Sequence, residues 1–311
     1  MEKLTDVVYV LGTGSAWNNN ELRFSLRSIE KYGMNVGRIF VVGVRPGFLS
    51  DKVIHLPAND IYNPNVNADG NITHKLLAAC ADKRLSRDFL FINDDHIILQ
   101  PVDLKNIPSF HKGDMNTFPE KYWAANYWRC RLKRTMETLN QRGLTAWHFD
   151  CHTPIILNRK LFPKVMSGFP FGEGIGLTMK SIYGNSVCAG SCKLLEGEKK
   201  TIFELLTLEQ INRRLSACGF MSFNDSGLNN SLKIWLYHQF PDRCRWETTD
   251  PEDRTLEILK WVEGDRDYSQ GVYLFGKYLH GANLLQMFRK GENEVLRKKL
   301  EYKLVNAITV I

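Results

Sequence analysis

Long hydrophobic runs are missing from this 311-residue sequence, in which no stretch approaches the ~18 consecutive apolar residues of a transmembrane helix. The apolar run near the start, within MEKLTDVVYVLGTGS, is too short for the hydrophobic segment of a secretory signal. Seven cysteines are present, but they form no CxxC pair, and an odd number cannot complete a disulfide framework. We therefore expect a globular cytoplasmic protein whose cysteines are free thiols, although Cys188 and Cys192 are spaced closely enough to pair or to share a metal.

The composition is otherwise that of an ordinary globular protein, with 43% hydrophobic and 24% charged residues. A chain of this length can bury a sizeable core. The formal net charge of +7 favours an anionic partner, such as a nucleotide, a nucleic acid or an anionic membrane surface. Because the positive charge is spread along the chain, apart from short clusters at residues 129–134 and 297–299, charge alone leaves these classes open.

Strand-like and helix-like segments alternate over the first hundred residues. Helix-like spacing of apolar residues occurs at 21–32 and 73–82, and short apolar strands are predicted at 6–11, 38–44, 52–56 and 89–92. This alternation predicts an α/β fold, with a mostly parallel sheet flanked by helices on both faces. Ligands of such sheets bind beyond the carboxyl ends of the strands.

The segment FLFINDDHIILQPVD at 89–103 places two adjacent carboxylates at the end of an apparently buried strand. Burying Asp94 and Asp95 there is costly unless something positive neutralises them. A divalent metal that carries a substrate diphosphate would do so, with Asp94, Asp95 and His96 as ligands and Asn93 near the donor. Oxygen ligands suit Mg²⁺ or Mn²⁺, and the imidazole favours Mn²⁺. The alternative is a turn in which Asn and Asp bond nearby backbone amides.

A glycine-containing loop follows the first predicted strand. Gly12, Thr13 and Gly14 can bring backbone amides close to a phosphate or a nucleotide ring. The full GxGxxG pattern is absent because Trp17 occupies the last glycine position, so a tight turn is the alternative. Since this loop and the Asp pair both follow strands of a parallel sheet, we expect one crevice to hold both.

Two further polar segments are candidates for chemistry. His148, Asp150 and His152 alternate, so in an extended segment they would share one face, suited to general base catalysis or to a metal shell. A polar edge strand is the alternative. Asp225 follows a short apolar piece, and taken alone it resembles an ordinary helix start.

Several of these segments together resemble a known family. Residues 20–32, 38–42 and 89–95 are similar to the second conserved region of the Stealth proteins, sugar-phosphate transferases of bacterial capsule synthesis that include the lysosomal-enzyme GlcNAc-1-phosphotransferase. His152-Thr153-Pro154 is similar to the third region, and residues 223–225, 240–241 and 246–247 are similar to the fourth. In the first region, this chain has Val-Leu-Gly-Thr-Gly where the family usually has a Trp-Val-Asp-Gly element.

The resemblance implies a GT-A-like (Rossmann-like) catalytic domain over residues 1–250 that binds a nucleotide sugar. It implies a metal-dependent glycosyltransferase or sugar-1-phosphate transferase of polysaccharide biosynthesis. The donor would be a nucleotide-diphosphate sugar, the acceptor a glycan or another hydroxyl compound, and the cofactor Mn²⁺ or Mg²⁺. The sequence leaves open whether a sugar or a sugar-1-phosphate moves.

Site roles follow from this resemblance and from the needs of the reaction. His152 is the candidate base, with Asp150 or Asp225 orienting it or adding to the metal shell. Arg23 and Arg27 lie one helical turn apart and could reach the phosphates, and a surface salt-bridge face is the alternative. The residues assigned to the donor are Gly12, Thr13, Gly14, Arg23, Arg27, His74, Lys75 and Asn93.

The remaining segments predict accessory roles. Three helices are expected at 251–262, 268–289 and 292–305, forming a helical C-terminal extension over 251–311. The insert 105–147 carries aromatic residues among basic ones and could form a platform for the acceptor. The same combination keeps two other hypotheses open: a glycosyltransferase acting on modified nucleic acid, and a non-enzymatic nucleic-acid-binding module.

Overall fold

The computed structural model describes residues 4–123, 126–195, 206, 208–253 and 256, and the backbone of residues 272–274 and 277–279. The described residues form two compact units. The first unit contains the described residues up to 195 together with 218–222 and 243–248, and the second unit contains the others. Among the described helices, none is both long enough and apolar enough to cross a bilayer.

The strands and helices are numbered along the chain. The strands are β1 (Thr5–Leu11), β2 (Gly33–Met34), β3 (Val36–Gly43), β4 (Val53–Leu56), β5 (Asp88–Phe91), β6 (His96–Ile98), β7 (Val102–Asp103), β8 (Phe110–His111), β9 (Ile155–Asn158), β10 (Lys193–Leu194), β11 (Phe220–Ser222), β12 (Val272–Leu274) and β13 (Lys277–Leu279). The α-helices are α1 (Asn20–Tyr32), α2 (Pro64–Ala81), α3 (Tyr127–Gln141), α4 (Leu161–Met166), α5 (Met179–Tyr183), α6 (Leu208–Leu215) and α7 (Asn230–Gln239).

The first unit is built on a five-stranded sheet with the order β4-β3-β1-β5-β9. The first four of these strands are parallel, and β9 is antiparallel to β5. The chain moves from β1 through α1 to β3 on one side, and later returns from β4 through α2 to β5 on the other side of β1. The connections therefore diverge between β1 and β5, and a crevice is expected at the carboxyl ends of these two strands.

Each face of the sheet carries its own apolar core. Val7 and Tyr9 of β1 belong to the core that also contains Leu22 and Leu26 of α1. Val8 points to the other face and belongs to the core that contains residues of α2 and α5. This division follows from the two-residue period of a strand, combined with the apolar stripe of each helix. The fold is thus mixed α/β with a mostly parallel sheet flanked by helices, which confirms this part of the predicted fold class.

The predicted strands at 6–11, 38–44, 52–56 and 89–92 correspond to β1, β3, β4 and β5, and the helix at 21–32 is α1. The helix predicted at 73–82 begins nine residues earlier, at Pro64, and is interrupted at Asn67, where φ is −135° and ψ is 62°. Asn67 Oδ1 accepts a hydrogen bond from the Gly70 amide at 2.9 Å and so caps the longer part of α2. Thr73, at the start of the predicted helix, therefore lies inside α2.

The predicted C-terminal helix at 268–289 is wrong where it can be compared. Residues 272–274 and 277–279 form the antiparallel pair β12 and β13. A short apolar run of Val, Tyr and Leu does not distinguish a strand from a buried helix by periodicity alone. The helix predicted at 292–305 and most of the helix predicted at 251–262 lie outside the described residues. The domain boundary at residue 250 stays a prediction.

We expect Gly43→Ala to destabilise the protein by about 1–3 kcal/mol, because this position is strained for any other residue. Gly43 ends β3 with φ +112°, and a Cβ there would lie only 2.1 Å from the carbonyl oxygen of Leu11. Urea-induced unfolding measures the loss. Gly47→Ala is the matched control, since a Cβ at Gly47 meets nothing within 4 Å. Equal losses in the two variants would contradict the described geometry at the end of β3.

Candidate active site

A tight turn joins β5 to β6 at the carboxyl edge of the sheet. The His96 amide donates to the Asn93 carbonyl at 3.2 Å, which closes the turn over residues 93–96. The turn expected as the alternative interpretation is therefore present in the backbone. It places Asp94 and Asp95 beyond the end of β5. The neighbouring strand is β1, which the glycine loop follows.

Three side chains at this edge have the spacing of a metal site. One ligand atom from each of Asp95, His96 and His152 lies within 4.8 Å of the other two. Asp95 Oδ1 is 3.7 Å from His96 Nε2, and His96 is fully buried. Neither His96 ring nitrogen, nor Asp95 Oδ1, has a hydrogen-bond partner among the described residues. A buried polar atom without a partner costs about 1–3 kcal/mol, and a bound divalent cation would supply the missing interaction.

The electrostatics of these groups suit a cation. Burial, and then the neighbouring Asp94, raises the pKa of Asp95 to about 8. Burial, followed by the charge of Lys180, lowers the pKa of His96 well below its usual value. His96 is therefore neutral, which is the form that binds metals. A divalent cation would displace the proton from Asp95.

Lys180 lies among the acidic groups of this site. Its side chain is buried, and Nζ donates to the carbonyls of Cys151 at 3.0 Å and Thr153 at 2.9 Å. Burial lowers the pKa of Lys180, while Asp150 and other anionic groups oppose that shift. The ammonium group also interacts with Asp95. Lys180 thus supplies positive charge beside two carboxylates.

Asp150 is a stabilised carboxylate. Burial raises its pKa, but Lys180, His148 and a hydrogen bond outweigh burial and hold the pKa below its usual value. That bond comes from Trp128 Nε1 to Oδ2 at 2.7 Å. Behind it, Asp69 pairs with Arg131, with Nη1 2.5 Å from Oδ2. Burial and the nearby Asp150 raise the pKa of Asp69 to about 6.

The extended segment expected at 148–152 is not observed. These residues have no regular secondary structure, and β9 begins only at Ile155. His148 is buried, with its ring 5.8 Å from that of Trp128, whereas His152 is exposed, with its ring 6.1 Å from that of His96. The expectation of an extended segment is therefore wrong, and a shared role of the three side chains stays a prediction. Hydrogen bonds from side chains elsewhere shape this segment, and alternation in the sequence could not reveal them.

Arg23 and Arg27 are buried and share one partner, Glu247. Arg23 Nη1 lies 3.0 Å from Glu247 Oε1, and Arg27 Nε lies 2.7 Å from Glu247 Oε2. The guanidinium of Arg23 also stacks on Phe48, 3.7 Å from the ring centre. This is a buried ion-pair cluster and not the surface salt-bridge face that was the alternative. Contact of these arginines with a donor stays a prediction.

The other donor-binding candidates lie near the carboxyl end of β1. Lys75 is buried, and its Nζ donates to the Leu11 carbonyl at 2.8 Å and to Asp60 Oδ1 at 2.6 Å. A Cβ added at Gly12 would lie 3.6 Å from Asp60 Oδ2. Thr13 and Gly14 are exposed, and His74 is half-buried.

Asp225 belongs to the second unit, where it is exposed and begins a 3₁₀ turn capped by Asn224. Its role and those of the donor-binding candidates stay predictions.

Sequence reasoning missed Glu21 and Lys180. Glu21 lies in the first turn of α1 and is buried, its Oε2 has no hydrogen-bond partner among the described residues, and its charge raises the pKa of Asp95. An acidic residue at a helix start is usually explained by the helix dipole, so its proximity to the Asp pair gave no separate signal. Lys180 lies in none of the segments that the sequence analysis identified as candidates, so nothing in the sequence pointed to it.

Comparisons with known proteins identify little beyond this geometry. No protein-family model matches the chain, and no curated protein matches it. One similar solved structure is described as the apo form of the bifunctional glycosyltransferase WbbM, with a TM-score of 0.39 and 13% identity. The match covers 71% of this chain and 46% of that one, so this chain spans less than half of that protein. A likeness this distant carries no argument about the site, and the resemblance to the Stealth family stays a prediction.

We expect Glu247→Ala to lower the free energy of unfolding by about 3–5 kcal/mol, because it leaves two buried guanidinium groups without their shared carboxylate. Denaturant unfolding measures the loss. Glu120→Ala is the control: its carboxylate pairs with Lys133 at 2.7 Å but is largely exposed, so the change should stay below about 1 kcal/mol. A loss as small for Glu247→Ala as for the control would contradict the cluster.

The raised pKa of Asp95 predicts a pH dependence of stability in metal-free protein. The folded state keeps the proton up to about pH 8, whereas the unfolded state releases it near pH 4. The folded state binds more protons between these values, so the contribution of Asp95 is largest below pH 4 and is lost as the pH rises towards 8. Asp95→Asn should flatten this fall in chelator-treated protein, measured by urea unfolding from pH 5 to pH 8. An unchanged slope would contradict the raised pKa.

Proposed function

We propose that this protein is a metal-dependent transferase that takes a nucleotide-diphosphate sugar as donor. It would pass either a sugar or a sugar-1-phosphate to a hydroxyl acceptor of the glycan type. The observation that carries the proposal is the group formed by Asp95, His96 and His152 at the carboxyl edge of the sheet, close to the point where the connections of β1 and β5 diverge. Mostly parallel α/β sheets bind their ligands at this edge.

The chemistry of the donor explains why such a site is needed. A diphosphate must be held and its charge neutralised as the bond to the leaving group breaks. A divalent cation held by Asp95, His96 and His152 would act as a Lewis acid on the diphosphate oxygens. Two imidazoles and one carboxylate favour Mn²⁺ over Mg²⁺, because Mg²⁺ prefers oxygen ligands alone.

The other residues of the edge have roles consistent with this proposal. The exposed loop of Gly12, Thr13 and Gly14 offers backbone amides next to the donor. Asp94 adds negative charge beside Asp95, which strengthens the attraction for a cation. Lys75 binds the Leu11 carbonyl at the end of β1, and Asp60 in turn accepts a hydrogen bond from Lys75.

The base that receives the acceptor proton comes from residues 150–152. His152 is exposed and can meet an incoming hydroxyl, but as a metal ligand it would not be free to act as a base. Asp150 remains a carboxylate at neutral pH and lies two residues away. Cation binding in the absence of substrate distinguishes the two residues. Replacing His152 should weaken it if His152 is a metal ligand, whereas replacing a residue that acts only as the base should not.

The experiment is a screen of nucleotide sugars with Mn²⁺ or Mg²⁺ that reads out the released nucleotide. Attack on the phosphorus next to the sugar breaks the bond between the phosphates and releases a nucleoside monophosphate. Attack on the anomeric carbon releases a nucleoside diphosphate. Release of neither nucleotide with either cation, from any nucleotide sugar, would overturn the proposal.

We expect Asp95→Asn and Asp94→Ala to reduce metal-dependent turnover by at least about 100-fold while the fold is retained, because each removes charge that holds the cation. Circular dichroism checks the fold. Asp51→Asn is the matched control, since its carboxylate is fully exposed and pairs only loosely with Arg45, at 3.7 Å. Wild-type turnover in both site variants would show that the Asp pair is not part of the active site.

A further inference from the structure

The irregular segment at 147–153 is held by side chains of α5 and of the π-helical turn that follows it at Gly184–Cys188. Asn185 accepts a hydrogen bond from the Trp147 amide at 2.9 Å and donates to the Trp147 carbonyl at 2.7 Å. Ser181 Oγ accepts from the Phe149 amide at 3.1 Å. Together with the bridge between Trp147 and Asp114 and the backbone bonds of His148 to Lys112 and Gly113, these bonds give the segment a defined path without regular secondary structure.

Lys180 continues this series at the end of the segment that carries His152. Its Nζ donates to the carbonyls of Cys151 and Thr153, at 3.0 Å and 2.9 Å, which are the two residues flanking His152. The ammonium is buried and lies 5.6 Å from the centre of the Phe91 ring in β5. One side chain therefore fixes the backbone on both sides of a single exposed histidine.

We propose that Lys180 is a positioning residue that holds the His152 ring beside Asp95 and His96 by binding the carbonyls on either side of it. This inference rests on the proposed metal site and adds to it a residue that holds one of the three ligands in place. His152 comes from a distant segment, whereas Asp95 and His96 are adjacent in the chain. The position of His152 relative to the other two ligands consequently depends on tertiary contacts.

The surroundings of Lys180 fit this role. An ammonium group has three donors and no acceptor, so it can serve two carbonyls from one point. The start of α5 is itself fixed, because the Thr178 amide donates to Thr135 Oγ1 at 2.9 Å and the Met179 amide donates to Asp69 Oδ1 at 3.3 Å. Lys180 thus ties the backbone around His152 to the fixed start of α5. Its charge also offsets the carboxylates of Asp95 and Asp150.

The test counts the imidazole rings that bind Cu²⁺, used as a probe ion, by electron spin echo envelope modulation of the full chain at one equivalent. We expect two coordinated imidazoles in the wild-type protein and one in Lys180→Met, which keeps the apolar stem of the side chain but ends one atom earlier and has no donors. Lys180→Gln, one atom shorter and unable to reach both carbonyls, should also show one. Lys180→Arg, which restores donors and charge, should recover two.

Matched controls and contrary results complete the design. Lys160→Met makes the same substitution at an exposed lysine and should keep two imidazoles. The double variant His96→Ala/His152→Ala gives the background from other histidines. Two imidazoles in Lys180→Met or Lys180→Gln would overturn the positioning role while leaving the metal site intact. A wild-type signal no greater than that background would overturn the metal site, and with it both this inference and the proposed function.

Discussion

Charge compensation at the carboxyl edge of the sheet is the constraint on which the described site depends. Two adjacent carboxylates follow β5, and a third, Glu21, comes from the start of α1. The buried ammonium of Lys180 offsets part of this negative charge, while burial and then the neighbouring Asp94 raise the pKa of Asp95. Negative charge beside the two ring nitrogens of His96, which have no hydrogen-bond partner among the described residues, supports the proposed cation site.

The helix α1 packs on the face of the sheet opposite to α5 and binds the backbone next to His96. Ser25 Oγ donates to the His96 carbonyl at 2.6 Å and lies 2.8 Å from the Tyr9 hydroxyl. Ser28 Oγ accepts from the Ile98 amide at 3.0 Å. These buried serines bind the backbone of β6, so His96 is held by α1 in the same way that His152 is held by α5. Both imidazoles are therefore held by helices: α1, which the sequence analysis assigned to donor binding through Arg23 and Arg27, and α5, which it did not predict.

Much of the first unit could be predicted from the sequence because its signals are local. Apolar runs ending in polar turns identified β1, β3, β4 and β5, and helical spacing identified α1. The Asp pair stood out because charged residues rarely interrupt a buried strand. Prediction failed at residues 148–152 and at the break in α2, where the Asn67 side chain binds the Phe171 carbonyl, because distant groups govern the backbone there. It failed at β12 and β13 because a short apolar run does not distinguish a strand from a helix.

The sequence by itself determined the alternation of strands and helices and the presence of two carboxylates at the edge of the sheet where the proposed site lies. Only the tertiary structure decided which groups join Asp95. It brought His152 to His96, placed Lys180 between the flanking carbonyls, and directed Arg23 and Arg27 towards Glu247. The physical reason is that hydrogen bonds and ion pairs between segments far apart in the chain depend on three-dimensional packing, which leaves no periodic trace in the order of residues.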